Sequence, residues 1–310
     1  MRVAAVIVTY NRLPLLQTCV AAVRQQTRPA DRIIVVDNAS TDGTSEWLSS
    51  QRDLTVVTQP NSGSAGAYHS GIAAALASDD DWIWCMDDDG VPEVKALEEL
   101  ERQATRHDLA MAGPLVVTLD DPTELSFGLH GRRRVAEVVR MAPGEVLMGH
   151  VNLFNGALIH RRVVETIGNV KREMFIWGDE YEYLLRAKRH GVRMGIALGA
   201  RHFHPANRRS TRQLLGGWFG NVEIMPEARV PFFFRNLGYI QATYDGPFAV
   251  LRTLVKYTGF FLVFERGNVK GATRFWRNYL AGVFDRYPGE LRGADAAPHP
   301  LRAPVMPRSR

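Results

Sequence analysis

The segment WIWCMDDDG, residues 82–90, runs an apolar stretch straight into three consecutive carboxylates. Its first five residues read as a strand buried on both faces, and its end as the point where that strand leaves the core. A helix cap uses one acid, not three, so the adjacent like charges of Asp87, Asp88 and Asp89 call for a cation to offset them.

Upstream the same grammar repeats. VAAVIVTY (3–10) is a continuous, β-branched-rich run, and the helical pattern of NRLPLLQTCVAAVRQQ (11–26) follows with Pro14 near its first turn. RIIVVDNAS (32–40) is a second buried strand ending in Asp37, followed by a turn-rich stretch and a short helix around Trp47. LTVVTQP (54–60) is a third strand, and NSGSAGAYHSGIAAALAS (61–78) is a glycine loop opening into a helix of small residues. Downstream, VPEVKALEELERQA (91–104) predicts an amphipathic helix starting at Pro92.

Strand and helix alternate about every 25 residues, which predicts an α/β fold with a mostly parallel sheet and helices on both faces. Ligands of such sheets bind beyond the carboxyl ends of the strands, so Thr9, Asp37 and Asp87 should meet in one cleft.

Residues 110–148 are less regular, and HGRRRVAEVVR (130–140) reads as an inserted hairpin or loop. GALIHRRVVETIG (156–168) gives a strand and a helix. MFIWGDEYEYLLRAKRHG (174–191) gives a helix with an acidic start that stops at Gly191. VRMGIALGARHFHP (192–205) closes the core with a strand and a histidine-containing exit loop. Beyond residue 207 arginine and aromatic residues interleave, and the last 20 residues have the Pro and Ala content of a disordered tail. The expected organisation is a catalytic domain over 1–207, with a nucleotide half (1–90) and an acceptor half (91–207). A helical extension over 208–290 offers a membrane-surface or oligomer contact, and a tail covers 291–310.

The bulk numbers constrain the partners. With 310 residues, 45% apolar and 23% charged, the chain has the composition of an ordinary globular protein. Its two cysteines give neither a metal spacing nor a disulfide framework, which fits a reducing compartment. Net charge is +5, suiting anionic partners. The start of the chain has no leader pattern, and the most apolar late stretch, LVKYTGFFLVFERG (254–267), has eight residues between Lys256 and Glu265, short of a membrane span. These readings place the protein in the cytoplasm, with a peripheral contact on the inner face of the membrane as the expected exception. Basic and aromatic residues occur together, but no nucleic-acid-binding module is present.

In an extended chain Asp87 and Asp89 point the same way, about 6–7 Å apart, a span that suits a hard divalent ion with water or phosphate between them. Mg²⁺ and Mn²⁺ bind through one or two carboxylates plus substrate phosphates. The three acids therefore read as a seat for a metal–diphosphate.

VTYNR (8–12), VVDNASTDGT (35–44), NSGSAGA (61–67) and MDDDG (86–90) stand in this order, and together they resemble the nucleotide-binding half of a glycosyltransferase family 2 enzyme of the GT-A fold. FIWGDEYEYLLRAKRHG (175–191) and GARHFHP (199–205) are similar to the acceptor half of that family's galactofuranosyl and rhamnosyl branch. The resemblance implies that Thr9, Asn11 and Arg12 line the nucleobase and that Asp37 meets base or ribose. It implies that Asn61, Gly63 and Gly66 form the loop beside the nucleotide, with glycine allowing close backbone approach. It places Asp87 and Asp89 on the metal with Asp88 between them, and completes the metal site with His204. His202, two residues earlier, competes for that role. The catalytic base falls on Glu180, with its neighbour Asp179 orienting the acceptor, and the alternative assignment keeps both acids open. Trp177 is placed against a sugar ring or in the core.

The implied activity is metal-dependent, inverting sugar transfer from a UDP- or dTDP-sugar to a lipid-linked or polysaccharide acceptor, with Mn²⁺ or Mg²⁺ as cofactor. A non-catalytic nucleotide-sugar or glycan-binding assembly partner is the competing class. A nucleotidyltransferase is disfavoured, because no basic glycine-rich triphosphate loop follows the first strand.

Overall fold

The computed structural model describes residues 1–206, 211–213, 221–223 and 225–288. Strand β1 (Val3–Thr9) is buried at every position because its two faces meet different cores. Ala4, Val6 and Val8 pack with helix α3 (Gly63–Leu76), while Val3, Ala5 and Ile7 pack with α1 (Leu13–Arg24). A two-sided strand has no polar face to show, which is why its sequence reads as unbroken apolar residues.

The first half continues with β2 (Arg32–Asp37), α2 (Thr44–Ser49), β3 (Leu54–Thr58) and β4 (Trp82–Asp87) around α3. Then come β5 (Val91–Pro92), α4 (Ala96–Arg106), β6 (Met111–Thr118), β7 (Glu124–Leu129), β8 (Arg132–Arg134), α5 (Val135–Val139), β9 (Val146–Met148), β10 (Asn155–His160) and α6 (Arg161–Ile167). This part of the chain ends with α7 (Asp179–Arg189) and β11 (Met194–His204). After β12 (Thr211–Gln213) and β13 (Asn221–Glu223), a short antiparallel pair, follow α8 (Val230–Ile240), α9 (Pro247–Gly259) and α10 (Val269–Val283).

Among the described residues eleven strands form one sheet, whose main path runs β3-β2-β1-β4-β10-β6-β11-β5. The first four are parallel, as expected, and β6 with β11 is parallel too. Strand β10 runs against both β4 and β6, so the sheet is mixed at its centre. Apolar runs carry no arrow, and the reversal had no signal in the sequence. The β7–β8 hairpin forms the expected insertion and packs under α5.

Three expectations need correction. No helix starts at Pro92: Val91 and Pro92 pair with Phe203 and His202 of β11, and α4 begins at Ala96. Proline serves at this edge because a two-residue edge strand can do without its N–H. His202 and His204 belong to β11 itself rather than to an exit loop, since they pair with Val116 and Thr118. The late apolar segment is longer than its charges suggest: Pro247–Phe264 is one helix of 18 residues, only 11% buried, long and apolar enough to cross a membrane by length and composition. Lys256, which seemed to divide it, turns aside and donates to the Asn221 carbonyl. The tail expected at 291–310 lies outside the described residues.

Candidate active site

The acidic turn forms where β4 stops. Asp87 N–H donates to the Phe154 carbonyl, and Gly90 N–H donates back to the Asp87 carbonyl at 3.2 Å, closing a tight turn over Asp88 and Asp89. It is this turn, rather than extended-strand alternation, that brings the acids together. Oxygen atoms of Asp87 and Asp89 and a ring nitrogen of His204 lie within 4.8 Å of one another.

Each acid has its own support. Tyr68 Oη donates to Asp87 Oδ1 at 2.6 Å, and the Tyr68 ring stacks on Phe154 at 3.7 Å. Thr9 Oγ1 donates to Asp88 Oδ2 at 2.8 Å. Arg12 Nη1 donates to Asp88 Oδ1 at 3.2 Å and to Asp89 Oδ2 at 2.8 Å. Thr9 and Arg12, expected at the nucleobase, are thus engaged with the acidic turn. His204 Nε2 lies 3.2 Å from Asp89 Oδ1, an oxygen that is buried and hydrogen-bonded to no donor.

Burial raises the Asp87 carboxyl from 3.8 to about 7, assisted by Asp89 and Asp88 and opposed by the Tyr68 bond. Burial also pushes Asp89 up, but His204 and Arg12 outweigh it and leave this acid below its ordinary value. His204 is pushed down by burial and raised above its ordinary value by Asp89. Two carboxylates and an imidazole converging around an unsatisfied oxygen fit a divalent cation, which would ionise Asp87 and take the histidine as a neutral ligand.

His202 is not part of that cluster. It is fully buried, its pKa is lowered to about 3 by burial, and its ring presses on Gly90 and Gly156. A Cβ at Gly156 would stand 2.8 Å from His202 Nδ1. His202 is therefore a neutral packing piece beneath the turn.

The other predicted loops are stitched to each other. Asp37, fully buried, accepts from Ser40 N–H and the Ser45 hydroxyl. Asn11 Oδ1 accepts from Thr41 N–H at 2.6 Å. Asn38, which sequence reasoning passed over, donates to Asn61 Oδ1 and to the Gly63 carbonyl, tying the end of β2 to the glycine loop. Gly63 has φ +69, and a Cβ there would overlap the Phe175 carbonyl oxygen. Its close approach is thus to this chain's own backbone, while a Cβ at Gly66 would meet Ser62.

That Phe175 carbonyl belongs to a strap, residues 174–178, that leads into α7. Ile176 N–H donates to the Met174 carbonyl at 2.7 Å, forming a γ-turn at Phe175, whose φ is +63; Trp177 follows at φ +70 and Gly178 at +88. Non-glycine residues held there cost on the order of 1–3 kcal/mol each, so their surroundings must impose the shape. Trp177 packs edge-on against Phe233 at 4.2 Å and joins the aromatic cluster of α8–α10.

Immediately after the strap, Asp179 is 3% exposed and accepts from Ser64 Oγ at 3.1 Å. Burial lifts its carboxyl from 3.8 to about 6, outweighing the amides of the helix start. Glu180 is exposed at the next position. Its charge reaches Tyr68, where it adds to the burial and Asp87 effects that keep the phenol protonated. Ser64 and Tyr68 stand one turn apart on α3, so one helix face touches Asp179 and Asp87 alike. Tyr68 and Ser64 were invisible in sequence because a small-residue helix reads simply as core.

This architecture is shared with the solved structure of GalNAc-T7 with UDP, GalNAc and Mn²⁺: TM-score 0.59 at 14% identity, covering 93% of this chain and 58% of that one. The likeness is one of fold, and the fold is that of the GT-A glycosyltransferases. The chain belongs to glycosyl transferase family 2, whose model matches residues 4–165. It is 36% identical over 248 residues to the galactofuranosyltransferase GlfT1 of Mycolicibacterium smegmatis, covering 77% of this chain and 82% of the relative. It is 22% identical over 210 residues to the dTDP-rhamnosyl transferase RfbF of Shigella flexneri, covering 67% and 70%.

Proposed function

We propose that this glycosyltransferase is metal-dependent and inverting, and that it moves galactofuranose or rhamnose from a UDP- or dTDP-sugar to a lipid-linked or polysaccharide acceptor. The observation that carries the reading is the convergence on α3, where Tyr68 meets Asp87 and Ser64 meets Asp179. The choice of sugar rests on the relatives, with the galactofuranosyl enzyme much the nearer in sequence.

Asp87, Asp89 and His204 would hold Mn²⁺ or Mg²⁺, which supplies charge stabilisation for the departing diphosphate. Arg12, already on Asp88 and Asp89, adds a fixed positive charge on the same side. Glu180 accepts the proton of the acceptor hydroxyl as its oxygen bonds to the anomeric carbon, while the bond from that carbon to the diphosphate oxygen breaks on the opposite face. Asp179, buried and held by Ser64, orients the acceptor hydroxyls and fixes the start of α7 beneath Glu180. Most of the rate must come from positioning and electrostatics, since an exposed glutamate is a weak base.

The exposed apolar helix 247–264 supports the membrane part of the reading. Phe248 is 78% and Val263 69% exposed, with Arg252, Arg266 and Lys270 nearby in sequence, as on a surface that rests on anionic lipid at the inner face of the membrane.

Nucleotide release from UDP-galactofuranose and dTDP-rhamnose, with a short galactoside or rhamnoside acceptor, tests the activity. Transfer should require Mn²⁺ or Mg²⁺ and vanish on chelation. Asp89→Ala and Glu180→Gln should each lower turnover at least 1,000-fold, about 4 kcal/mol of transition-state stabilisation. Glu180→Gln should still bind UDP with Mn²⁺, whereas Asp89→Ala should not. Chelator-resistant transfer would remove the metal from the reading, and a fully active Glu180→Gln would remove the base.

A further inference from the structure

Helix α8 holds the strap before α7 with Phe232 and Phe233 packed on its aromatic rings and with one polar side chain bonded to its backbone. Asn236, on α8, is fully buried. Its side-chain nitrogen lies 2.9 Å from the Met174 carbonyl oxygen, 3.1 Å from that of Ile176 and 2.6 Å from that of Trp177. Two amide hydrogens thus serve three carbonyls. The intervening carbonyl, Phe175, is taken by Ala65 N–H at the start of α3 at 3.1 Å, and the next, Gly178, by Glu182 N–H inside α7. Every carbonyl from 174 to 178 is accounted for: Met174 shares its oxygen between Asn236 and Ile176 N–H, and those of Ile176 and Trp177 are taken by Asn236.

Asn236 also touches the strap sterically. A Cβ at Gly178 would stand 3.5 Å from Asn236 Cβ and 3.2 Å from Ile240 Cδ1, so α8 lies directly against the residue that caps α7. Helix α8 is itself seated firmly. Gly238 and Gly282 lack side chains where α8 and α10 meet, and a Cβ on either would overlap backbone of the other helix. Tyr287 Oη donates to Asn236 Oδ1 at 3.4 Å, which leaves the amide nitrogen turned toward the strap.

We infer that Asn236 is a positioning residue for transfer: it holds the strap in its positive-φ form and thereby fixes where Asp179 and Glu180 stand relative to the acidic turn. The helical extension is thus a working part of the active site, although it supplies no group that touches the reacting atoms. This inference rests on the proposed role of Glu180. The three strap bonds stay within the strap, which meets the glycine loop only through the Phe175 carbonyl against Gly63 and Ala65, so the donor side should sense the residue far less than the acceptor side.

The test is to split acceptor chemistry from donor binding in Asn236→Ala. The wild-type enzyme is first shown to transfer sugar in the nucleotide-release assay; if it does not, the proposed function fails before the variant is measured. With wild-type transfer established, the variant should lose kcat for transfer by 100-fold or more. Its calorimetric affinity for UDP with Mn²⁺ should change by less than threefold, and donor hydrolysis by water, measured without acceptor, should fall far less than transfer. Unchanged transfer would overturn the inference. So would a parallel loss of UDP binding, hydrolysis and transfer in a folded variant, which is the signature of a merely structural residue. If Asn236→Ala does not fold, the isosteric Asn236→Asp is put through the same three measurements, and the same results support or overturn the inference. Its carboxylate fills the space but repels the three carbonyls.

Discussion

Tyr68 shows how one side chain can set the charge a site will tolerate. Its hydroxyl is the hydrogen bond that draws the Asp87 carboxyl down against burial, and its ring is fixed by Phe154. Tyr68→Phe keeps the stack and removes the donor. A hydrogen bond to a charged group contributes about 1.5–3 kcal/mol, so UDP–Mn²⁺ affinity should weaken roughly tenfold or more with little change in Tm. Unaltered affinity by calorimetry would show that the phenol only fills space. Asp179 offers a pH experiment. Its folded value of about 6 exceeds the ordinary 3.8, so the native state binds this proton more tightly than the unfolded chain. The associated stability is fully present below about pH 3.8 and lost as pH rises through about 6. Between about pH 4 and pH 7 the wild type should lose roughly 2–3 kcal/mol relative to Asp179→Asn, seen as a growing gap in Tm. A constant gap would mean the carboxyl is not buried as described. At this scale the acids were plain to read, because carboxylates in a row at a strand end have few other uses. Tyr68, Asn38 and Asn236 stayed hidden, since their partners lie far along the chain.

Among elements, α3 and the strap depend on each other through a position that accepts only glycine. Gly63→Ala would meet both a positive φ and the Phe175 carbonyl. A loss of about 2 kcal/mol or more is expected, along with a fall in transfer larger than the fall in UDP binding. Denaturant unfolding and the nucleotide-release assay check the two parts, and a neutral substitution would mean the strap is free to shift. The strands themselves were legible, since runs such as 3–9 and 82–86 have no polar face to confuse the reading. Their directions were not: β10 is as buried as β4 and β6, the strands it runs against. The amphipathic pattern of 96–106 was equally plain, but its start was misplaced because proline at position 92 resembles a helix's first residue. Three hydrogen bonds from one asparagine leave no periodic trace, so the clamp on the strap could be seen only in three dimensions.

For the molecule as a whole, the helical extension is joined to the sheet domain, its Tyr239, Ile240 and Tyr287 entering the sheet's own core. The sheet domain carries the acids, and the helical extension carries an aromatic core around Phe233, Phe234, Phe275 and Tyr279 plus an outward apolar face. If that face rests on lipid, the protein should co-sediment with vesicles containing anionic phospholipid and much less with neutral ones. The double variant Phe248→Glu, Val263→Glu should reduce the bound fraction several-fold while leaving transfer to a short water-soluble acceptor unchanged. Equal sedimentation of variant and wild type would assign the exposed helix to another use. The bulge in β11 carries a different lesson. Ala197 pairs with Pro114 and Arg201 with Leu115, so three residues, 198–200, have no opposite number on β6. Three is odd, and a strand's faces swap with every unit of slip. Were one residue added there with the unpaired stretch still three long, the pairing would slip by one place, and Phe203 would stand opposite Thr118 where His204 now stands. The place of His204 beside Asp89 is therefore written partly as register, a property that no single letter of its motifs records.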